Sequence, residues 1–161
     1  MGWVVIARAF WYAVWLVLRA YAFTRPSVTI FLGGRYLRRW FLTCTPEQDA
    51  SGTPGRYLHE WHSPDPDRRL HNHPWEWAYT RVLRGGYTEA RSDWDKPARI
   101  RVRRVGDRVA FGPSTRHRVA AIAPNTWTLF HAGPKHGRGW GPKGEGYLEW
   151  HAPEWRSWGR K

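Results

Sequence analysis

The sequence predicts an all-β barrel or sandwich preceded by one N-terminal helix. Short runs of β-branched and aromatic residues, about eight to ten of them, follow one another at near-regular spacing. Gly and Pro residues separate almost every pair of runs, and the one long apolar segment without such breaks lies at the N-terminus. The chain has 161 residues, of which 42% are apolar, so it suits one domain with a core of modest size.

Residues 3–23 form the predicted helix, which is apolar on most sides, and Pro26 marks its end. Within it, the ten residues AFWYAVWLVL between Arg8 and Arg19 carry no charge. This run is too short to span a bilayer unaided. The favoured interpretation is a helix packed on the domain. A helix lying on a membrane surface and a secretory signal are the alternatives, and Arg19 argues against cleavage of a signal.

Strands are predicted throughout the rest of the chain, between loops rich in turn-forming residues. The predicted strand segments are 27–34, 35–43, 56–62, 76–91, 98–105, 106–122 and 126–133. Two of these segments contain a turn and are expected to form two strands each. The predicted loops are 46–55, 63–69 and the Gly-rich segment 134–146.

Segment 98–105 alternates three arginines on one face with Ile100 and Val102 on the other. This is the pattern of a half-buried antiparallel strand. The predicted organisation of the whole chain is an N-terminal apolar helix over residues 1–25 and a β-barrel domain over residues 26–161.

The chain is strongly basic, with 26 Lys and Arg residues against 13 Asp and Glu residues, a formal net charge of +13. This charge favours nucleic acid or an anionic membrane as a partner, and a solvated basic surface is the alternative. Cys44 is the one cysteine, which excludes a disulfide within the chain and a cysteine-based zinc cluster. Nothing in the sequence demands an oxidising compartment. We therefore expect a cytoplasmic protein, with association to a membrane surface through residues 3–23 as an option.

The segment RRLHNHPWEWAYTRVLRGGY holds two histidines, His71 and His73, one residue apart. On a β-strand, residues i and i+2 point to the same face, so both imidazoles would enter one site. Two imidazoles hold a divalent metal only with further ligands. His117 is the natural third ligand, because it follows a Gly-Pro turn into a strand and antiparallel barrels bring distant strands together. Two solvated turn residues are the alternative interpretation.

This arrangement resembles the cupin family, whose fold is a double-stranded β-helix or jelly-roll barrel. The first cupin motif corresponds to residues 71–86 and the second to residues 106–121, with His71, His73 and His117 at histidine positions of the motifs. Gly106 and Pro113 also match the order of the second motif.

The sequence departs from the cupin pattern at several motif positions. Ala78 stands where the family's glutamate ligand is expected, and Trp77 fills the other allowed spacing. Glu76 lies nearby but is offset by register, and whether it binds the metal stays open. Ala121 occupies the position of the second motif's asparagine.

The ligand set of three histidines is similar to that of the thiol dioxygenase branch of the cupins, which uses iron(II) and oxygen. The pattern over LHEWHSPDPDRRLHNHPW, LRGGYTE and TWTLFHAGPKHGRGWG looks like small cupin-like proteins of phage and prophage genomes. The resemblance implies a divalent transition metal, Fe(II) above all, with Zn, Mn or Ni as alternatives. It also implies an oxygenase acting on a small molecule, and it allows a homodimer, because cupins often pair through their sheet faces. Three imidazoles leave the charge of a divalent metal uncompensated, which favours an anionic substrate.

Two further residues are predicted to act at this site. Arg81 is expected to hold a carboxylate or phosphate group, and Tyr87 is expected to orient oxygen or substrate. Trp75, Trp77 and Trp127 are expected to form an apolar wall. Two other functions stay open: a metal-bound cupin with non-oxidative chemistry, and a non-catalytic module that binds nucleic acid or an anionic membrane through its basic aromatic surface.

The remaining histidines have weaker claims on the site. His59 either supplies a supporting hydrogen bond or is an ordinary strand residue. His131 is expected to face the barrel interior, whereas His136 and His151 are expected to be exposed.

Overall fold

The computed structural model describes residues 2–32, 34–66, 70–93 and 96–135. Helix α1 (Gly2–Ala22) precedes nine strands in this part of the chain, in agreement with the predicted number. A short helix α2 (Pro46–Ala50) lies between the second and third strands. The strands are β1 (Ser27–Phe31), β2 (Arg35–Phe41), β3 (Gly55–Trp61), β4 (Ala78–Arg84), β5 (Gly86–Asp93), β6 (Arg99–Arg104), β7 (Arg108–Phe111), β8 (Thr115–Ile122) and β9 (Trp127–Ala132).

The strands form two antiparallel sheets. The larger sheet has the order β1-β2-β3-β9-β4-β7, and the smaller sheet has the order β6-β5-β8. Val82 of the larger sheet packs against Tyr87 and Val119 of the smaller sheet, so the two sheets face each other across a shared interior. The predicted all-β fold with an N-terminal helix is therefore confirmed.

The outer face of the larger sheet is covered by α1. Trp15 and Ala22 of the helix are buried in one cluster with Trp40, Leu58 and Trp127 of the sheet. The Trp15 and Trp127 rings meet edge to face at 5.8 Å, a favourable geometry for aromatic pairs. None of the helices in the described ranges has the length and apolar character that crossing a membrane requires.

The segment predicted as a loop at 46–55 begins with α2 instead. Thr45 Oγ1 accepts a hydrogen bond from the Gln48 backbone N–H at 3.3 Å, and Gln48 Oε1 accepts one from the Thr45 N–H at 2.9 Å. This reciprocal capping box, with Pro46 in the first turn, stabilises a single helical turn. The prediction was wrong because it weighed the turn-forming residues and not the capping spacing.

The alternation predicted in β6 is present, but the strand is exposed on both faces except at Arg103, which is partly buried. Ile100 and Val102 are 66% and 55% exposed. Arg103 points inward instead, and its Nε and Nη2 atoms donate to the buried Glu89 carboxylate at 3.2 and 3.0 Å. The physical reason is pairing with β5, because Arg103 lies opposite Tyr87, which faces the interior.

Substitution of Trp15 by Ala is expected to lower the free energy of unfolding by about 3–5 kcal/mol, because the indole is 4% exposed and its removal leaves a cavity against Trp127. Val17→Ala on the same helix, at a side chain 70% exposed, is the matched control and should change stability by no more than about 0.5 kcal/mol. Urea unfolding followed by tryptophan fluorescence measures both. Equal effects of the two substitutions would contradict the packing of α1 on the sheet.

Candidate metal centre

Three histidine side chains converge inside the barrel. His71, His73 and His117 each offer a ring nitrogen, and these nitrogens all lie within 4.8 Å of one another. His73 Nε2 and His117 Nε2 are 2.6 Å apart. Among the described residues, this is the group of histidine, cysteine and carboxylate side chains that is arranged to hold a metal ion.

The backbone places His71 directly opposite His117. The two residues form an isolated antiparallel bridge, with N–H···O distances of 3.0 and 2.9 Å in the two directions. His73 and its neighbours do not continue as a strand, so the prediction of a strand carrying both histidines was wrong. Pro74 contributes to this break, because it has no N–H to donate to a ladder. The rings of His71 and His73 nevertheless meet at 5.3 Å, nearly perpendicular.

Aromatic side chains surround the three imidazoles. The Phe111 ring lies 4.6 Å from that of His117, and the Trp75 ring stacks on His73 at 5.2 Å. Trp75 therefore forms part of the expected apolar wall. The other two predicted members do not: Trp77 is 48% exposed, and Trp127 packs beneath α1 on the outer face of the larger sheet.

The chemistry of the donor set fits a divalent transition metal. Burial lowers the pKa of His73 and of His117 well below the usual range, and the neighbouring histidines lower both further. Both imidazoles are therefore neutral at physiological pH, which is the form that binds metal. Two nitrogens that bind one ion with metal–nitrogen bonds of about 2.0–2.1 Å lie at most about 4.2 Å apart. The limit of 4.8 Å within which the three nitrogens lie is slightly wider, so a small ring rotation would complete the site. Glu76 is exposed and is not part of the group, and Ala78 is buried against Phe111.

Arg81 lies on the other face of β4. Its guanidinium sits 4.6 Å above the Trp11 ring of α1, and its Nη1 donates to the Gly106 carbonyl at 2.7 Å. Arg81 would share a face with His71 and His73 only if one regular strand joined them without a bulge, whereas β4 begins only at Ala78. The structure thus places Arg81 among helix contacts and away from the three histidines.

Tyr87 faces the barrel interior, as expected. It is 5% exposed and stacks on Trp61 with ring centroids 6.2 Å apart. Burial raises the pKa of its hydroxyl above the ordinary value, and the Glu89 carboxylate raises it further. Tyr87 is therefore a neutral hydrogen-bonding group, and its role at the site stays a prediction.

The other histidines divide between the two faces of the larger sheet. His59 is buried in the interior, where its Nε2 accepts a hydrogen bond from Arg39 Nε at 3.0 Å. His131 was expected to face the interior but lies on the outer face, stacked on Tyr79 with ring centroids 4.2 Å apart. The physical reason is strand parity, because Phe130 and Ala132 take the inward positions of β9. His136 and His151 lie outside the described residues.

Three charged residues of the barrel interior escaped the sequence argument. Glu89 is completely buried, and it binds Arg103 at 3.0 Å and approaches Arg91 at 3.8 Å. Arg91 lies directly opposite His117 in the pairing of β5 with β8. A signal was available in GYTEARSD, because Glu89 and Arg91 alternate with Tyr87 and must share its face.

No protein-family model matches the chain, and no curated protein matches it. Solved structures do resemble it. A structure of Fe(II)-HppE with an alternative substrate gives a TM-score of 0.51 at 14% identity, over 69% of this chain and 57% of that one. Hydroxypropylphosphonic acid epoxidase from S. wedmorenis gives a TM-score of 0.50 at 13% identity, over 69% of this chain and 56% of that one. A candidate mannose-6-phosphate isomerase from Ralstonia eutropha JMP134 gives a TM-score of 0.48 at 18% identity, over 65% of this chain and 91% of that one.

The chain spans little more than half the length of the epoxidase structures that it matches. At these identities the likeness concerns the fold alone. Together with the two antiparallel sheets and the N-terminal helix, it confirms the predicted all-β fold of the cupin-barrel type.

Acidification is expected to destabilise the fold through its buried histidines. Burial first, and the Arg39 charge second, lower the pKa of His59 well below its usual range. On unfolding the pKa returns to about 6.5, so below that pH the unfolded chain binds a proton that the folded chain does not. The contribution of His59 is therefore complete above about pH 6.5 and is lost as the pH falls below it, at up to about 1.4 kcal/mol per pH unit.

Urea unfolding in EDTA between about pH 8 and pH 5 measures this slope without interference from bound metal. His59→Gln retains an acceptor for Arg39 but cannot titrate. It should therefore reduce the slope of unfolding free energy against pH by the amount that corresponds to about one proton. A slope that the substitution leaves unchanged would assign the acid sensitivity to other groups.

Proposed function

We propose that this chain is a metal-dependent enzyme of the cupin type that oxidises a small molecule with dioxygen. His71, His73 and His117 would hold one divalent transition metal, with Fe(II) the first choice. The observation that carries the proposal is the convergence of three imidazole nitrogens within 4.8 Å inside a barrel. The similarity to structures of Fe(II)-HppE, one of them with an alternative substrate, adds support.

The ligand set is compatible with oxidation. Three neutral imidazoles donate no negative charge, so a bound divalent ion would retain its full charge and would supply open coordination positions for substrate and dioxygen. Carboxylate-rich sites suit Mg and Ca, whereas imidazole suits Fe, Ni, Cu and Zn.

The protein's own contribution is orientation and exclusion of water. The bridge between His71 and His117 fixes the backbone of two ligands, and Trp75 and Phe111 pack on the rings of His73 and His117. These contacts fix the direction of each imidazole before metal arrives, which lowers the entropic cost of binding. Tyr87, on the interior face of β5, would offer its hydroxyl to the substrate.

Metal content tests this proposal directly. The protein purified after anaerobic loading with Fe(II) should contain about one metal per chain. His71→Ala and His117→Ala should each lower occupancy at least tenfold, because two imidazoles alone bind weakly. His62→Ala, which removes a histidine that lies beside Glu60 on the barrel surface, is the matched control.

Elemental analysis gives the stoichiometry, and oxygen uptake during substrate screening tests the oxidative chemistry. A parent protein without metal after iron or zinc loading would contradict the metal centre. A loaded protein that turns substrate over without consuming oxygen would contradict only the oxidative part and would favour isomerisation or hydrolysis.

A second candidate function concerns the outer face of α1. The helix side turned away from the sheet carries Ile6, Phe10 and Val17, which are 62%, 57% and 70% exposed. Their i, i+4 and i+11 spacing forms one apolar stripe. A helix that is apolar on both sides needs a second partner for its outer side, and an anionic membrane surface would suit the basic chain.

Vesicle sedimentation tests membrane binding. Val17→Glu should lower the bound fraction on vesicles of phosphatidylcholine and phosphatidylserine by about tenfold, because it places a charge in the apolar stripe. Val17→Ala, which keeps the stripe apolar, should bind nearly as the parent does. Equal binding by both variants, or binding by neither the parent nor the variants, would contradict this candidate.

A further inference from the structure

We propose that the interior face of the smaller sheet binds an oxyanion beside the three histidines, with Arg91 as the residue that holds a carboxylate, phosphonate or phosphate group of the substrate. The inference rests on the proposed function, because it assigns the substrate class of the same site. Arg91 takes the role that the sequence analysis gave to Arg81, because the structure places Arg81 against α1.

The strand register brings Arg91 next to the metal ligands. Directly opposed residues in an antiparallel pair share a face and have Cβ atoms about 4.5–5.5 Å apart. Arg91 is opposed to His117 across β5 and β8, and His117 is opposed to His71 across the isolated bridge. On its other side Arg91 is opposed to Arg99 of β6. One row of side chains therefore runs across the sheet from the histidines to its edge.

The guanidinium of Arg91 is turned toward the histidines. Its carbon lies 5.5 Å from the centroid of the Phe111 ring, and that ring packs at 4.6 Å on His117 and at 5.7 Å on His73. A small molecule could thus contact Arg91 with one end and the histidine group with the other. The planar fork of an arginine matches the two oxygens of a carboxylate or phosphate.

The charge of this face favours an anion. On the face shared by β5 and β6, Arg91 and Arg103 are partly buried beside Glu89, whereas Arg99 and Arg101 are exposed. Glu89 pairs most closely with Arg103, whose Nη2 lies 3.0 Å from its carboxylate. Glu89 acts as a positioning residue, since its Oε1 also lies 3.8 Å from Arg91 Nη1.

The experiment compares the parent, Arg91→Gln and Arg104→Gln. Arg104 is an exposed arginine on the outer face of β6, so its substitution removes the same charge from the same sheet. Calorimetric titration with inorganic phosphate and with malonate, at low salt, gives the dissociation constant for each anion on metal-free and on Co(II)-loaded protein. Metal content and the Co(II) absorption spectrum are recorded in parallel, and thermal unfolding shows that each variant is folded.

We expect Arg91→Gln to raise the dissociation constant about 10- to 100-fold while metal content stays at the parent value, and Arg104→Gln to change it by less than about threefold. Arg91→Lys keeps the positive charge but loses the planar fork, so its dissociation constant should lie between those of the other two variants. It replaces Arg91→Gln in the comparison if that variant does not fold. The tighter of the two probes distinguishes a phosphate-type from a carboxylate-type substrate.

The inference is overturned if the parent binds neither anion, or if the Arg91 and Arg104 variants weaken binding equally. In either case Glu89, Arg91 and Arg103 would have a structural role only. These results are separable from failure of the metal centre. A parent that loads metal but ignores both anions loses only this inference. A parent that takes no metal but binds anions through Arg91 loses the proposed function and keeps the anion site.

Discussion

Strand β8 pairs with β5 on one side and bridges to His71 on the other, and this double pairing positions His117 between a second histidine and an arginine. Backbone hydrogen bonds are obligatory for a buried strand, so the register cannot slip by one residue without turning every side chain of β8 to the other face. The same constraint that holds the smaller sheet together therefore holds the candidate metal centre. A bulge adjusts this register between Thr88 and Glu89: the pairing passes over Ala120 of β8, so that Glu89 lies opposite Val119 and Arg91 opposite His117.

Both faces of the larger sheet bury aromatic clusters, and the candidate metal centre lies on the inner side. On the outer face, tryptophans from α1 and the strands make an apolar cluster, in which Trp40 stacks on Trp127 at 5.3 Å. The interior buries a second apolar cluster, which includes Tyr57, Phe111 and Phe130, together with the charged groups Glu89 and Arg39. Desolvating such charged groups offsets much of what their ion pairs contribute, so the net stabilisation of the interior comes from its apolar residues.

The sequence was sufficient to predict helices and strands with a regular hydrophobic period. It was insufficient to predict which residues of two distant segments lie next to each other in the fold. Turn residues and alternation located the strands and the N-terminal helix. Spacing identified His71, His73 and His117, although the argument assumed a strand that Pro74 interrupts. Arg81 failed for the same reason, because parity cannot be carried through an irregular segment. The position of Arg91 beside His117 could not be predicted from the sequence of β5 alone. It depends on the register between β5 and β8, which is known only from the folded structure.

The basic composition has a structural explanation that weakens the argument for nucleic acid. Many arginines lie against aromatic rings: Arg84 lies 4.5 Å from the Trp15 ring, and Arg38 lies 4.8 Å from that of Trp40. A guanidinium is weakly hydrated and stacks on indole faces, so abundant arginine and abundant tryptophan support each other in one protein. Arg99, Arg101 and Arg104 of β6 are exposed, so part of the formal charge of +13 lies on the surface. Another part is carried by arginines that pack on aromatic rings, and Arg91 carries its charge opposite His117, where an anionic small molecule would meet it.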